Sequence, residues 1–347
     1  MRKSIVLVAK DMAPSQILSL IEKVLTQDNG ITVNAFLASG KEFSNDLETI
    51  LDFASDARAV VVGMSSSKEL AEEEIAVAKE ALEIGTPVFC YADTFGLRPH
   101  FDEVLSHRLT TLFCINEKQA EQAREKYPDL KVVVTGNPAW EQFFFPKLTR
   151  EQSRDKLGIG LDETVVLCPG GKDAVVNTLH FSAAIESYAG DKVCHVIISL
   201  HPGDKTLPSV YQSLVDFAPD NVKVRIIPAS EMSASDILSG ADCVISSAST
   251  IEVEALCRDV PIPVFSYLSP LAKRRLKKAT GSEEWELVKM EVVYEYDHVT
   301  RLNLLDSIKD WMSYGEDSMQ VKKIRKHFPK PEKLGTAIDK MVDAILN

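Results

Sequence analysis

The residues that could do chemistry stand in a few short stretches, each just after an apolar run. One is Ser246-Ser247-Ala248-Ser249-Thr250-Ile251-Glu252-Val253-Glu254, which follows Asp242-Cys243-Val244-Ile245. Ser249 and Glu252 have the spacing of a capping box, so Ser249 is expected to be the N-cap of a helix that ends before Pro261. Small side chains at a strand-to-helix turn leave backbone N–H groups free, and the helix dipole favours an anion there. An ordinary turn with a good cap accounts for the same residues equally well. A second stretch is Pro169-Gly170-Gly171-Lys172 after Thr164 to Cys168. Its glycines permit close backbone approach and its lysine could meet a phosphate; a plain turn is the alternative. His201 follows the run from His195 to Leu200.

In the first half, Lys10, Asp11 and Ser15 follow one apolar run. Ser65 to Lys68 follow another, and Asp93, Thr94, Arg98 and His100 follow a third. Asp93 and His100 are the candidate proton acceptors. Turn capping by Asp93 and a structural place for His100 are the competing readings. There is no Asp-x-Asp, no cluster of His or Cys at ligand spacing, and no Gly-x-Gly-x-x-Gly after the first strand. Neither a metal nor a dinucleotide cofactor is expected.

The elements that must position these residues alternate strand and helix. The pattern predicts strands at Ser4 to Ala9, Ile31 to Ala38, Ala59 to Gly63, Pro87 to Tyr91, Leu112 to Asn116 and Val132 to Val134. Helices are predicted between them, at Ile17 to Leu25, Leu47 to Phe53, Glu69 to Ile84 and Lys118 to Tyr127. Asp11 to Ser15 reads as a loop. Thr149 to Leu157 reads as a linker helix with Thr149 as cap. A second series then begins: strands at 164–168, 195–200, 222–227, 242–245 and 263–267, with a helix at His180 to Ala189. Helices are also expected at Leu302 to Met312, Met319 to His327 and Gly335 to Leu346. Such alternation implies parallel sheets wound on both faces, with ligands at the carboxyl ends of the strands. The expected organisation is a Rossmann-like domain over 1–146, a second over 147–330, and a helix over 331–347 that crosses back to the first.

The 347 residues carry a formal net charge of −12 and 45% hydrophobic side chains. This composition is that of a globular protein, and its charge disfavours a polyanion such as nucleic acid as partner. No apolar run is long enough to span a membrane or to act as a signal peptide, so a cytoplasmic location is expected. The six cysteines lack C-x-x-C spacing and sit in apolar runs, as reduced core thiols do. Lys273-Arg274-Arg275-Leu276-Lys277-Lys278 is a basic run in an acidic chain. It is either a solvated helix face or a contact to an acceptor or membrane surface.

Several motifs in order resemble the GT-B superfamily: Thr135-Gly136-Asn137-Pro138, Gly170-Gly171, His201-Pro202, and Ser247-x-Ser249-Thr250-x-x-x-Glu254-Ala255. The nearest-looking branch groups sugar-nucleotide glycosyltransferases with the non-hydrolysing UDP-N-acetylglucosamine 2-epimerases. The resemblance implies two Rossmann-like domains facing a central cleft. It places a nucleotide diphosphate, most readily that of a UDP-sugar, on Ser249 and Thr250, with Glu254 at the ribose and His201 on the phosphate side. The base would lie near Ile227-Pro228. Asp93, Thr94, Gly96 and Arg98 would face the acceptor or sugar, and Lys10, Asp11 and Ser65 belong to that side. Tyr91 to Arg98 is similar to the epimerases' Val-Glu-Ala-Gly-Leu-Arg loop, but Thr94 stands where their catalytic glutamate stands. Their Gly-Asp-Thr is replaced by Gly63-Met64-Ser65-Ser66, although Asp102 and Glu103 match a second acidic pair. The expectation is a metal-independent glycosyltransferase in which Asp93, or second His100, takes the acceptor proton. Lys172, His201 and the amides of Ser249 and Thr250 would stabilise the leaving diphosphate. The acceptor is not indicated. The alternatives are an epimerase-like isomerase or hydrolase, and a nucleotide-sugar-binding protein without catalysis.

Overall fold

A computed structural model describes residues 4–27, 30–38, 46–93, 95–186, 193–280, 282–296 and 318–347. The chain forms two compact units, Met1–Glu141 with Pro331–Asn347, and Gln142–Lys330.

Unit 1 runs β1 (Ser4–Ala9), α1 (Met12–Gln27), β2 (Thr32–Leu37), α2 (Leu47–Ser55), β3 (Ala57–Gly63), α3 (Lys68–Glu83), β4 (Val88–Tyr91), α4 (Asp102–Leu105), β5 (Thr110–Cys114), α5 (Glu117–Lys126), β6 (Lys131–Val134) and α6 (Pro138–Glu141). Its sheet is parallel, ordered β2-β1-β3-β4-β5-β6. Alternate side chains enter opposite layers, as strand geometry requires. Val6, Val8, Val60, Val62 and Cys90 pack on one face with Ile50 of α2 and with Ala71 and Ala78 of α3. Ile5, Leu7, Val61, Phe89 and Phe113 pack on the other with Ile17, Leu18 and Ile21 of α1, and with Ile338, Met341 and Ile345 of the C-terminal helix Thr336–Leu346. That helix is seated by Glu141, whose carboxylate accepts from the amides of Gly335 and Ala337, both at 2.7 Å. Burial raises the Glu141 carboxyl, and those two amides oppose the rise.

The stretch Asp11 to Ser15 is not a loop: α1 begins at Met12 and includes Pro14. Proline is tolerated there because first-turn amides have no partner within the helix. A Cβ on Gly63 would come within 2.7 Å of the Pro14 Cβ and 2.8 Å of the Ala9 Cβ, so only glycine lets β3 end against this turn.

Unit 2 runs α7 (Arg150–Leu157), β7 (Thr164–Pro169), α8 (Ala174–Glu186), β8 (Cys194–Ser199), α9 (Gln212–Asp216), β9 (Val222–Ile227), α10 (Ala234–Leu238), β10 (Cys243–Ser246), α11 (Thr250–Leu256), β11 (Val264–Tyr267), α12 (Pro270–Thr280), α13 (Glu286–Lys289), β12 (Tyr294–Tyr296) and a last helix, Met319–His327. The sheet is parallel in the order β12-β11-β10-β7-β8-β9. Thr149 caps α7 in a full capping box with Gln152. Arg154 of α7 is fully buried, bonded to Asp242 at 2.8 Å and to the carbonyls of Gly160, Glu163 and Gly240. This node ties α7 to the start of β10.

α8 begins at Ala174, six residues before the expected His180. The carboxylate of Asp173 accepts from the amides of Val175 and Val176, both at 3.0 Å, and so starts the helix early. β12 and α13 have no counterpart among the expected elements, and the helix expected over 302–312 lies outside the described residues. All six cysteines are buried and free. Among the described residues no helix is long and apolar enough to cross a membrane.

Candidate functional site

In unit 2 the chain leaves β7 toward β8 on one side and leaves β10 toward β11 on the other, yet β7 and β10 are neighbours. Such a switch point opens a crevice at the carboxyl ends of the strands. A pocket of about 450 Å³ lies there. Gly170, Gly171 and Lys172 line it after β7, His201 lines it after β8, and Ser247, Ser249 and Thr250 line it after β10. The structure therefore gathers seven of the eight residues expected at the nucleotide. A second pocket, of about 470 Å³, opens at the amino ends of β10 and β11 beside Asp242 and Pro263, away from these residues.

The Gly170-Gly171 turn is held from below. The Gly170 amide donates to Ser199 O at 2.8 Å. The Gly171 amide donates to Asn177 Oδ1 at 2.7 Å, and Asn177 Nδ2 returns a bond to Gly171 O at 3.0 Å. Both glycine amides are thus engaged, and the contribution of these residues is space. A Cβ on Gly170 would meet the Phe181 ring at 3.2 Å and Asn177 Nδ2 at 3.3 Å. Asn177 also donates to Asp204 Oδ2 at 3.0 Å and reaches Tyr211 Oη at 3.3 Å, joining the turn after β7 to the loop after β8. In that loop the Gly203 amide donates to His201 Nδ1 at 2.8 Å. A ring accepting at Nδ1 carries its proton on Nε2, leaving a donor for a ligand. His180, also in the lining, is buried and donates from Nε2 to Ile245 O at 3.1 Å. Burial pushes its pKa down to about 4, so the ring is neutral.

After β10 the backbone is strained. Ala248 has φ +51°, a conformation that side chains rarely adopt. Beside it Ser247 Oγ is buried and, among the described residues, has no partner. Ser249 caps α11 with Glu252 in the expected capping box. The box engages the Ser249 amide, which donates to Glu252 Oε1 at 3.3 Å, so that amide is not available to a leaving group. Glu252 is fully buried and also accepts from Trp285 Nε1 at 2.8 Å and Ser266 Oγ at 3.2 Å. Burial drives its pKa up to about 7.

Glu254 is the eighth residue, and the structure does not bring it to the pocket lining. It is 6% exposed, and its carboxylate accepts from Arg258 Nη2 at 2.7 Å and from Ser235 Oγ. The reason is local spacing: Arg258 lies four residues on, just past the end of α11, and is itself buried.

Unit 1 has its own switch point between β1 and β3. Lys10, Asp11, Ser65 and His100 meet there. The Asp11 amide donates to Ser65 Oγ at 3.0 Å, and the Ser66 hydroxyl donates to Asp11 Oδ2 at 2.6 Å. Burial opposes the charge of Asp11, but the bonds from Ser66 and Met12 and the charge of Arg98 outweigh it and lower its pKa. His100 Nε2 donates to Ser65 O at 3.0 Å, a bond that engages one of its two ring nitrogens. Lys10 pairs with Glu73 at 2.5 Å. Asp93 follows β4, with Arg98 Nη2 at 3.7 Å from its Oδ1. Burial raises its carboxyl, and Arg98 moderates the rise. Thr94 lies outside the described residues.

Two organising residues have no role assigned from the sequence. Asn137, from the Thr-Gly-Asn-Pro motif, donates to Asp93 O at 2.8 Å and accepts from the Tyr91 hydroxyl at 3.2 Å, and so fixes the loop that carries Asp93. Glu74 of α3 is fully buried and accepts from the Lys10 amide, the Ser65 amide and the Ser65 hydroxyl at 2.7–3.0 Å. Burial lifts its pKa to about 7. Its signal is spacing: Ala71, Glu74, Ala78 and Ala81 fall on the inward stripe of α3.

No protein-family profile and no curated protein matches the chain. Solved structures do. MurG of Acinetobacter baumannii superposes with a TM-score of 0.55 at 14% identity, covering 99% of each chain. A glycosyltransferase from Rickettsia africae gives 0.54 at 13% identity, covering 99% of this chain and 98% of that one. Staphylococcus aureus MnaA, solved with UDP, gives 0.51 at 14% identity over 99% and 96%. At these identities the likeness is one of fold: the chain has the two-domain GT-B architecture along its whole length.

Proposed function

We propose that this chain is a metal-independent glycosyltransferase that takes a nucleotide-diphosphate sugar, with UDP as the nucleotide. The observation that carries the reading is the unit 2 pocket. Seven residues chosen for nucleotide chemistry line one crevice at the switch point of a parallel sheet, where such sheets take ligands. The likeness in fold to a protein solved with UDP supports the choice of nucleotide.

Transfer of a sugar to a hydroxyl makes two demands. The acceptor proton must leave as oxygen attacks the anomeric carbon, and the departing diphosphate must be neutralised as the bond to it breaks. Asp93 takes the first role. Burial raises its pKa, which makes it a stronger base than an ordinary aspartate, and Arg98 moderates the rise. Lys172, His201 through Nε2–H, and the hydroxyls of Ser247, Ser249 and Thr250 take the second. His100, oriented by the bond from its Nε2 to Ser65 O, is the second candidate.

The test is a thermal-shift panel followed by product analysis. A ligand that binds only the folded state stabilises it by about 2.7 kcal/mol at a hundredfold excess over Kd. UDP is expected to raise Tm more than ADP or GDP. No shift with any nucleoside diphosphate at millimolar concentration defeats the reading. Incubation with UDP-N-acetylglucosamine then distinguishes the rivals: an epimer marks an isomerase, and free sugar without transfer marks a hydrolase.

A further inference from the structure

The basic run of residues 273–278 lies on α12, and its cations have different surroundings. Lys273 pairs with Glu295 at 2.6 Å and Lys277 with Glu283 at 3.0 Å. Arg275 lines the unit 2 pocket, alongside Lys172, and pairs with Asp173 across it. Asp173 is pinned. Its Oδ1 caps α8 through the amides of Val175 and Val176, and its Oδ2 meets Arg275. The guanidinium is 46% exposed and the carboxylate 33%. Exposed pairs of this kind are weak, so a ligand with more charge can take the guanidinium over. A diphosphate offers that charge and several acceptor oxygens, pairs of which the planar guanidinium fork can bind together.

We propose that Arg275 and Lys172 form a two-cation site for the diphosphate of the ligand, and that Asp173 holds Arg275 until the diphosphate displaces it. The assignment rests on the nucleotide reading of this pocket and names its second phosphate-binding cation. Arg275 then contributes to diphosphate affinity, and Asp173 competes with the ligand for it. The two residues have opposite effects on binding, a pattern that a merely structural pair would not give.

Calorimetry with UDP and with inorganic pyrophosphate tests this on the wild type, Arg275→Gln and Asp173→Asn. Asparagine also caps helices well, so α8 keeps its start. Arg275→Gln is expected to weaken both ligands by about ten- to a hundredfold, the value of a lost charged hydrogen-bond partner. Asp173→Asn is expected to tighten both. Equal affinity in wild type and Arg275→Gln, or weaker binding in Asp173→Asn with an unchanged Tm, overturns the proposal. If wild type binds UDP and Arg275→Gln binds it equally, the nucleotide reading stands and this one falls. If wild type binds pyrophosphate through Arg275 but not UDP, this one stands and the nucleotide reading falls. Binding of neither ligand overturns both.

Discussion

Asn177→Asp is the most informative single change in unit 2, because it alters one atom at the centre of the pocket's support. Asn177 Oδ1 accepts from the Gly171 amide, and Nδ2 faces three oxygens: Gly171 O, Asp204 Oδ2 and Tyr211 Oη. A carboxylate keeps the first bond and turns the other three contacts repulsive or empty. Burial works against the charge of Asp204, but hydrogen bonds from Thr206, Tyr211 and Asn177 outweigh it and lower its pKa. Two carboxylate charges about 3 Å apart repel by about 5 kcal/mol at an effective dielectric of 20. Protonating one instead costs about 1.4 kcal/mol for each pH unit above its ordinary pKa near 4, or about 4 kcal/mol at pH 7. The cheaper route sets the loss, so the variant is destabilised by about 4 kcal/mol at pH 7 and by about 1.5 kcal/mol at pH 5. Asn177→Ala loses all four contacts, that of the Gly171 amide included, but adds no charge, at about 1–3 kcal/mol independent of pH. Urea unfolding of all three proteins at pH 5, 6 and 7 measures both deficits against wild type. An Asn177→Asp deficit that does not shrink on acidification would refute the reasoning.

Glu74 gives a second pH signature. Its pKa is about 7 in the native state against 4.5 ordinarily, so its contribution to stability is full below about pH 4.5 and is lost as pH rises through 7. The swing is about 3 kcal/mol, and Glu74→Gln is expected to flatten it in unfolding curves from pH 5 to 8. Glu254→Gln should cost about 3 kcal/mol in stability, because it leaves Arg258 buried without its anion. Calorimetry on the folded variant should find UDP affinity within twofold of wild type, and a large loss would place Glu254 at the ribose after all. Transferase activity is expected to survive EDTA, and restoration by magnesium or manganese after its loss would contradict the leaving-group assignment.

Much of this arrangement was legible in the residues. The apolar runs locate the strands because parallel strands are buried on both faces, as the fully buried Ile5 to Ala9 shows. Ser249 with Glu252 and Thr149 both cap as their spacing requires. What escaped was decided at longer range. The start of α8 is hidden because Val175 and Val176 carry no helical signal, and only the Asp173 carboxylate places it. Glu254 has a family motif's spacing, but the Arg258 side chain one turn away draws it inward. Glu74 sits among Glu72 and Glu73 on an Ala/Glu-rich helix, and its partners lie in the turns after β3 and β1, 9 and 64 residues away.

Glu141 and the C-terminal helix have a consequence for biosynthesis. One face of the first sheet is completed by Ile338, Met341 and Ile345, more than 200 residues after the strands that receive them. During translation the first unit is made early but cannot close until Thr336–Leu346 has left the ribosome. The second unit is continuous in sequence and can fold in the interval. The later-made half is therefore the first able to mature, and the uncovered face of the earlier half must wait as an aggregation hazard. Removal of Thr336–Leu346 is expected to unfold the first unit while the second still folds, as limited proteolysis of the truncated protein would report.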